Sequence, residues 1–406
     1  MPGNLLTRSL RTPHVALLVE TSLASGRDIL RGIARYVRER GPWSLFHSPR
    51  SLEQSAPAWL RGWRGDGIIA RITDPEVAQL IKETGRPAVD VLGMVPDTGF
   101  PLVHVDDAAI ARLAFDHFVE RGFRRFAFLG IVGEEWMRRG RNWSQRRQDA
   151  FFECARAAGA EPALFEFAPH ALDAEPWERR QDQLTAWLRR LPKPLGLMVC
   201  SDQRGPDALD ACRRANIAVP DEVAVIGVDN DEPLCEVCDP PLSSVLPDHF
   251  DVGYQAAACL DRLMNGAAAC AEPQLVAPGR VVSRQSSDGL AVDDRAVTAA
   301  LRLIRERACL AISVDEIARD AGTSRSVLQR RFRAALGRTI HDQIIATRLK
   351  RAEELISSTD LPLPEIAETC GFNHQEYMGV VFRERLGKTP AQVRKAAEAA
   401  RLARPR

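Results

Sequence analysis

No stretch of this 406-residue chain approaches the roughly 18 consecutive apolar residues that a membrane-spanning helix needs. Nor is there the apolar segment of a secretion signal near the start, because Val15 to Val19 is strand-sized and Glu20 follows at once. The expected location is the cytoplasm. A cysteine framework is also missing: the nine cysteines are odd in number and scattered, which suits reduced thiols better than disulfides. The one Cys-x-x-Cys, Cys235 to Cys238, has neither a partner pair nor a histidine at zinc spacing, so no metal and no cofactor is expected.

What is present is the composition of a folded protein too long for one core. Hydrophobic residues make up 45% and charged residues 27%, and the length suggests two or three domains. The net charge of +1 hides an asymmetry. From Ala291 to Arg406 there are 21 Lys and Arg against 15 Asp and Glu, a net +6, while the rest carries 34 against 39, a net −5. A basic module on an acidic body fits a nucleic-acid reader joined to something else.

The basic part contains one pattern written twice. Glu316-Ile317-Ala318, Ala321-Gly322, Phe332-Arg333, Leu336-Gly337 and Thr339 return as Glu365-Ile366-Ala367, Cys370-Gly371, Phe382-Arg383, Leu386-Gly387 and Thr389, offset by 49 residues at Gly322 and Gly371 and by 50 at the phenylalanines. Each copy reads as a short helix, a glycine turn and a second helix, a helix-turn-helix unit. In the first copy Ser326, Gln329, Arg330 and Arg333 share one helical face, with Val327, Leu328, Phe332 and Leu336 on the other. Two ordinary helical hairpins would not need a face made of donors and positive charge. The stretch from Ser313 to Lys395 resembles the DNA-binding domain of AraC/XylS-type regulators, with Ile340 to Ser357 as the connecting helix. That resemblance implies double-stranded operator DNA as partner. It places Ser324, Arg325, Ser326, Gln329, Arg330 and Arg333 at DNA in the first unit, and Asn373, His374, Gln375, Glu376, Arg383 and Lys388 in the second. Val380 stands where related readers often place an Arg, so the second unit is expected to lean on phosphate contacts and on thymine methyls.

Before this module, strands and helices alternate. Strands are expected at Val15–Glu20, Ser44–His47, Gly67–Ala70, Ala88–Leu92 and Leu102–Val105, with helices at Asp28–Arg40, Pro75–Glu83 and Ala108–Arg121. A second series runs from Arg125–Gly130 to a helix at Val252–Leu263. The expected fold is an α/β sensor of two lobes with parallel sheets, followed by an all-α reader. Ligands of such sheets meet the carboxyl ends of the strands, where Asp106, Asp107, Ser201, Asp202, Asp229 and Asn230 fall, with Arg147 opening a helix nearby. Carboxylates with an Asn and an Arg suit a polyhydroxyl ligand; for any single Asp, helix N-capping is at least as good an explanation.

Val103-His-Val-Asp106-Asp107, Arg147-x-x-Ala150-Phe151, Cys200-Ser201-Asp202, the run Ile217 to Asn230 and Pro241-Leu-Ser-Ser-Val245 resemble the sensor of LacI/GalR-type repressors. Those repressors carry a DNA-binding headpiece ahead of the sensor, and here only a dozen or so residues precede His14. A LacI-like sensor followed by an AraC-like reader resembles the family of bacterial xylose-operon regulators. It implies a homodimeric, pentose-responsive activator that binds a small sugar such as xylose and works with RNA polymerase, with no membrane involved. A different sugar or polyol is the alternative, and Trp136 and Trp143 are candidates for stacking on it. An enzymatic front half using Cys200 is a poorer reading, because Ser201, Asp202 and Gln203 lack the small residues of a nucleophile elbow. The expected division is a sensor over 14–284, a linker over 285–294 within the polar stretch Arg280 to Asp294, and a reader over 295–398.

Overall fold

Short apolar runs such as Gly67–Ala70 and Val223–Val228, buried along their whole length, become parallel strands covered on both faces by helices. The computed structural model describes residues 12–49, 56–131, 142–167, 176–269 and 272–403, and the chain divides into two units between Ala291 and Val292.

In the first unit β1 (His14–Leu18), β2 (Ser44–His47), β3 (Gly67–Ala70) and β4 (Ala88–Asp90) form a parallel sheet in the order β2-β1-β3-β4. Around it lie α1 (Ala24–Arg40) and α2 (Pro75–Glu83), the latter begun by Asp74 accepting from the Val77 amide with Pro75 at its first position. β5 (Val103–Val105) leads into α3 (Asp107–Glu120). The second lobe contains β6 (Phe126–Ile131), α4 (Trp143–Ala157), β7 (Ala163–Phe167), α5 (Trp177–Arg190), β8 (Leu195–Val199), α6 (Gly205–Arg214), β9 (Val223–Val228), α7 (Glu232–Val237) and β10 (Ser243–Leu246). With β12 (Arg280–Val282) its sheet runs β12-β10-β9-β8-β6-β7, antiparallel only at β12.

Two features differ from the sequence reading. First, α8 (His249–Met264) leaves the second series and packs on α1, while β11 (Gln274–Val276) pairs with β5, so the chain passes between the lobes repeatedly. Glycine permits the helix crossing: a Cβ at Gly32 would lie 1.9 Å from the Phe250 carbonyl oxygen, and one at Gly253 2.0 Å from that of Ile29. Second, Arg280 to Asp294 is no free bridge. Its start is β12, Ser286 and Ser287 are fully buried, the Ser286 hydroxyl donates to the Val225 carbonyl (2.7 Å), and the Ala291 amide donates to Arg121 (2.9 Å). The stretch is polar because its serines serve as hydrogen-bond partners for strand ends, a use that composition does not reveal.

The second unit is all helix: α9 (Arg295–Arg307), α10 (Val314–Asp320), α11 (Arg325–Leu336), α12 (Ile340–Ser358), α13 (Leu363–Thr369), α14 (Gln375–Leu386) and α15 (Pro390–Ala403). Each repeated Leu-Gly-x-Thr is a stop followed by a start. Gly337 and Gly387 end α11 and α14 in the left-handed region, at φ 68° and 66°, and Thr339 closes a capping box with Asp342. Ser313 and Glu316 make the same box at the head of α10. Two cores result: Ile317, Leu328, Phe332 and Ile340 belong to one, and Ile366, Cys370, Met378 and Phe382 to the other.

Candidate functional site

The sensor's polar residues gather at the ends of strands from both lobes. Asp107, at the start of α3, is 3% exposed and accepts from two arginines on α4: Arg147 Nε to Oδ1 and Arg146 Nε to Oδ2, both at 2.8 Å. Burial alone would raise this carboxyl; the Arg147 charge, with His104 and Arg146, outweighs it and holds the group well below the ordinary carboxylate range. Arg147 also donates from Nη1 to the Cys200 carbonyl at 2.6 Å, and its guanidinium lies over the Trp143 ring, 4.9 Å from the centroid. An arginine held on two sides is aimed before any ligand arrives.

Asp229 follows β9 with φ 106°, and Asn230 has φ 48°, so two consecutive non-glycine residues occupy the left-handed side of the map. Its carboxylate is a quarter exposed and meets His249 Nε2 at 3.2 Å. Burial opposes its charge, but the His249 hydrogen bond and the Arg147 and Arg71 charges prevail and lower its pKa. Arg71 follows β3 in the first lobe; it pairs with Glu20 and donates to Ser25 Oγ at 3.1 Å. Among the described residues, Glu20 Oε2 and Arg71 Nε are buried without a hydrogen-bond partner. Asp90, the last residue of β4, accepts from the Leu92 amide at 2.9 Å, and burial pushes its carboxyl up to about 6.

The other candidates serve the scaffold. Asp106 caps α3 through the Ala109 amide (2.9 Å). Asp202 accepts from Ser244 Oγ (2.7 Å), the Asp231 amide (2.9 Å) and Cys235 Sγ (3.4 Å); burial first and the Asp229 charge second push it up to about 7. Asn230 Oδ1 accepts from Arg284 Nη2 at 2.9 Å, and Ser201 is a buried cap residue ahead of Asp202–Arg204. Asp107, Arg147 and Asp229 are thus brought together, while Asp106, Asp202 and Asn230 are occupied elsewhere and Ser201 makes no side-chain cap bond. The strand-end rule, applied evenly, also names Glu20, Arg71 and Asp90 as candidates; His249 arrives from a helix start with no sequence signal. Trp136 lies outside the described residues.

The sensor thiols singled out in the sequence, Cys200, Cys235 and Cys238, are buried. Cys200 is fully buried and burial pushes its thiol up. Cys235 and Cys238 hydrogen-bond to Asp202 and to the Leu234 carbonyl, and no metal-ligating cluster occurs among the described residues.

In the reader, Ser324, Ser326, Gln329, Arg330 and Arg333 are exposed at the start and along one face of α11, with Leu328 and Phe332 buried behind them. Arg325 is exposed too, but is paired with Asp315 at 2.9 Å. Around α14, Asn373, His374, Gln375, Glu376, Arg383 and Lys388 are exposed. Tyr377, which sequence reasoning passed over, is 45% exposed beside Val380 at 42%.

Family models match in the same order. One described as the XylR N-terminal domain covers residues 14–105, a periplasmic binding protein-like domain covers 115–287, and a helix-turn-helix domain covers 317–396. The xylose operon regulatory protein of Haemophilus influenzae is 32% identical over 94% of this chain and 97% of its own length, and that of Escherichia coli K12 is 33% identical over 94% and 96%. The chain belongs to the xylose operon regulatory proteins. A solved xylose-binding transcription activator of this family superposes with a TM-score of 0.81 at 30% identity, covering 95% of this chain and 99% of that one. A solved transcriptional regulator in complex with cellobiose shares the sensor fold alone, at a TM-score of 0.52 and 23% identity over 68% of this chain and 85% of that one. The family relatives are transcription regulators, and no described helix is long and apolar enough to cross a membrane.

Proposed function

We propose that this protein is a xylose-responsive transcriptional activator of the cytoplasm, acting as a homodimer on operator DNA and with RNA polymerase. The observation that carries this is the end-to-end match to xylose operon regulatory proteins, reader and sensor together, over 97% of one relative's length. In this reading Arg147 and Asp229 hold the sugar from one lobe, and Glu20 and Arg71, with polar atoms left over, meet it from the other. A neutral polyol suits such a site: carboxylates accept from hydroxyls and guanidinium groups donate back. In the reader, Gln329 and Arg330 read bases, and Arg383 and Lys388 hold phosphates. Residues from Val292 on form a separate reader, so that fragment should fold and bind duplex DNA without sugar.

The test is a thermal-shift screen of the full chain against pentoses, hexoses and their alcohols. A ligand at 100 times its dissociation constant adds about 2.7 kcal/mol of stability. Xylose should give the largest shift; a larger shift with a hexose would reassign the sugar, and no shift with any of them would remove the sensor role.

A further inference from the structure

The reader holds a thiol pair that sugar sensing and base reading leave unused. Cys309 lies in the turn between α9 and α10, in the first half, and Cys370 caps the end of α13, in the second. They are 61 positions apart in sequence, yet Cys309 packs against the core cluster that holds Cys370. The backbones are equally close: a Cβ at Gly371, whose φ is 74°, would lie 3.1 Å from Cys309 Cα and 2.7 Å from its carbonyl oxygen. The Cys309 turn is also tied to the connecting helix, since Arg348 on α12 donates from Nε to the Ala308 carbonyl at 2.6 Å and from Nη2 to that of Leu310 at 3.3 Å.

Access and reactivity point to the same residue. Of the described cysteines only Cys154 and Cys309 are not buried, and Leu310 beside Cys309 is 63% exposed. Burial pushes the Cys154 thiol up, whereas the neighbouring Cys370 thiol first, and then the charges of Arg348 and Arg351, bring Cys309 down to about 7. Cys370 is buried, and its thiol is shifted upward by the neighbouring Cys309 and by burial.

We propose that Cys309 and Cys370 are a dithiol site that closes to an intramolecular disulfide by exchange with a low-molecular-weight disulfide, and that the closed form holds operator DNA less tightly. Cys309 thiolate attacks one sulfur of the reagent; that disulfide bond breaks and its other half leaves as a thiolate, which takes up the proton Cys309 has lost. Cys370 sulfur then attacks Cys309 sulfur in the mixed disulfide, releasing the second thiolate, which takes the Cys370 proton. Two protein thiols are oxidised to one disulfide, and one reagent disulfide is reduced to two thiols. A disulfide bond is about 2.05 Å long, shorter than any non-bonded sulfur contact, so closure draws the first-half turn against the end of α13. Arg348 passes that shift to α12, which packs against both reading helices, α11 and α14.

The experiment treats the reduced full chain with oxidised glutathione, traps remaining thiols with N-ethylmaleimide, and maps the peptides by mass spectrometry. In parallel, affinity is measured by anisotropy for a duplex that the reduced chain selects from a randomised pool. We expect a Cys309–Cys370 peptide pair lighter by two hydrogens and a dissociation constant raised about tenfold, both reversed by dithiothreitol. Cys309→Ser, at a half-exposed position, should keep the reduced chain's affinity and resist the reagent. A glutathione adduct that stays on Cys309, a mapped disulfide with unchanged affinity, or an equal loss in Cys309→Ser would overturn the proposal. The affinity arm rests on the chain being a DNA reader; failure to select any duplex would count against that reading, while the peptide map tests the disulfide by itself.

Discussion

Replacing Asp229 by Asn tests the proposed sugar site at the point where both lobes' charges meet. The substitution keeps shape, leaves an oxygen for His249, and suits the left-handed φ of 106° that Asn tolerates well. What it removes is the negative charge that Arg147 and Arg71 face. Hydrogen bonds to a charged group contribute about 1.5 to 3 kcal/mol, so the sugar dissociation constant should rise roughly 10- to 150-fold. At a concentration 100 times the parent dissociation constant, the parent gains about 2.7 kcal/mol, and a variant weakened about 100-fold gains roughly 0.4 kcal/mol. For a unit of this size a kcal/mol corresponds to roughly 2 to 4 °C, so a parent shift of about 5 to 11 °C should shrink to about 1 °C. Calorimetry with and without xylose reads this directly, with sugar-free operator affinity as the control. An equal sugar shift in parent and variant would remove Asp229 from the site.

Arg147→Met should lower the sensor's thermal midpoint, because it takes from the buried Asp107 its buried arginine partner and leaves it Arg146 and His104; breaking a buried pair costs about 3 to 5 kcal/mol, and the remaining partners place the expectation near the lower figure, roughly 6 to 12 °C in a melting curve. Stability should fall on both sides of the mildly acidic range. Asp107, held low in the fold, contributes stability that disappears as pH falls below the ordinary carboxylate value of about 4, whereas Asp202, raised to about 7, costs stability as pH climbs from about 4 to 7. Asp229→Asn should soften the upper slope, since the Asp229 charge is one cause of the Asp202 shift, and urea titrations across pH would show it. In the reader, Arg330→Ala should cost about 1 to 3 kcal/mol and relax preference at one base, while Lys388→Ala should weaken operator and scrambled duplexes alike and reduce the salt slope by about one. Equal losses on both duplexes for Arg330→Ala would refute its assignment to a base.

The sequence alone determined the elements whose causes are local. A buried apolar strand such as Val223–Val228, a helix with its cap and proline such as Pro75–Glu83, and a glycine stop followed by a threonine start are written within a few residues, so they were legible along the chain. The duplicated pattern of Gly322 to Thr339 and Gly371 to Thr389 is local in the same sense, because each copy builds its own turn. Only the tertiary structure decided where polar side chains spend their hydrogen bonds. Asp106 and Asp202 have the same residue type and strand-end position as Asp229, yet one is committed to a helix start and the other to Ser244 and the Asp231 amide. Arg284 and Ser286 looked like linker because their partners, Asn230 and Val225, are more than 50 residues away. The return of α8 to α1, which brings His249 to Asp229, depends on two glycines, Gly32 and Gly253, that mean nothing until the helices cross. Propensity and patterning act over one or two turns of chain, whereas a binding site is made by residues that only the packed backbone brings within 3 Å of one another.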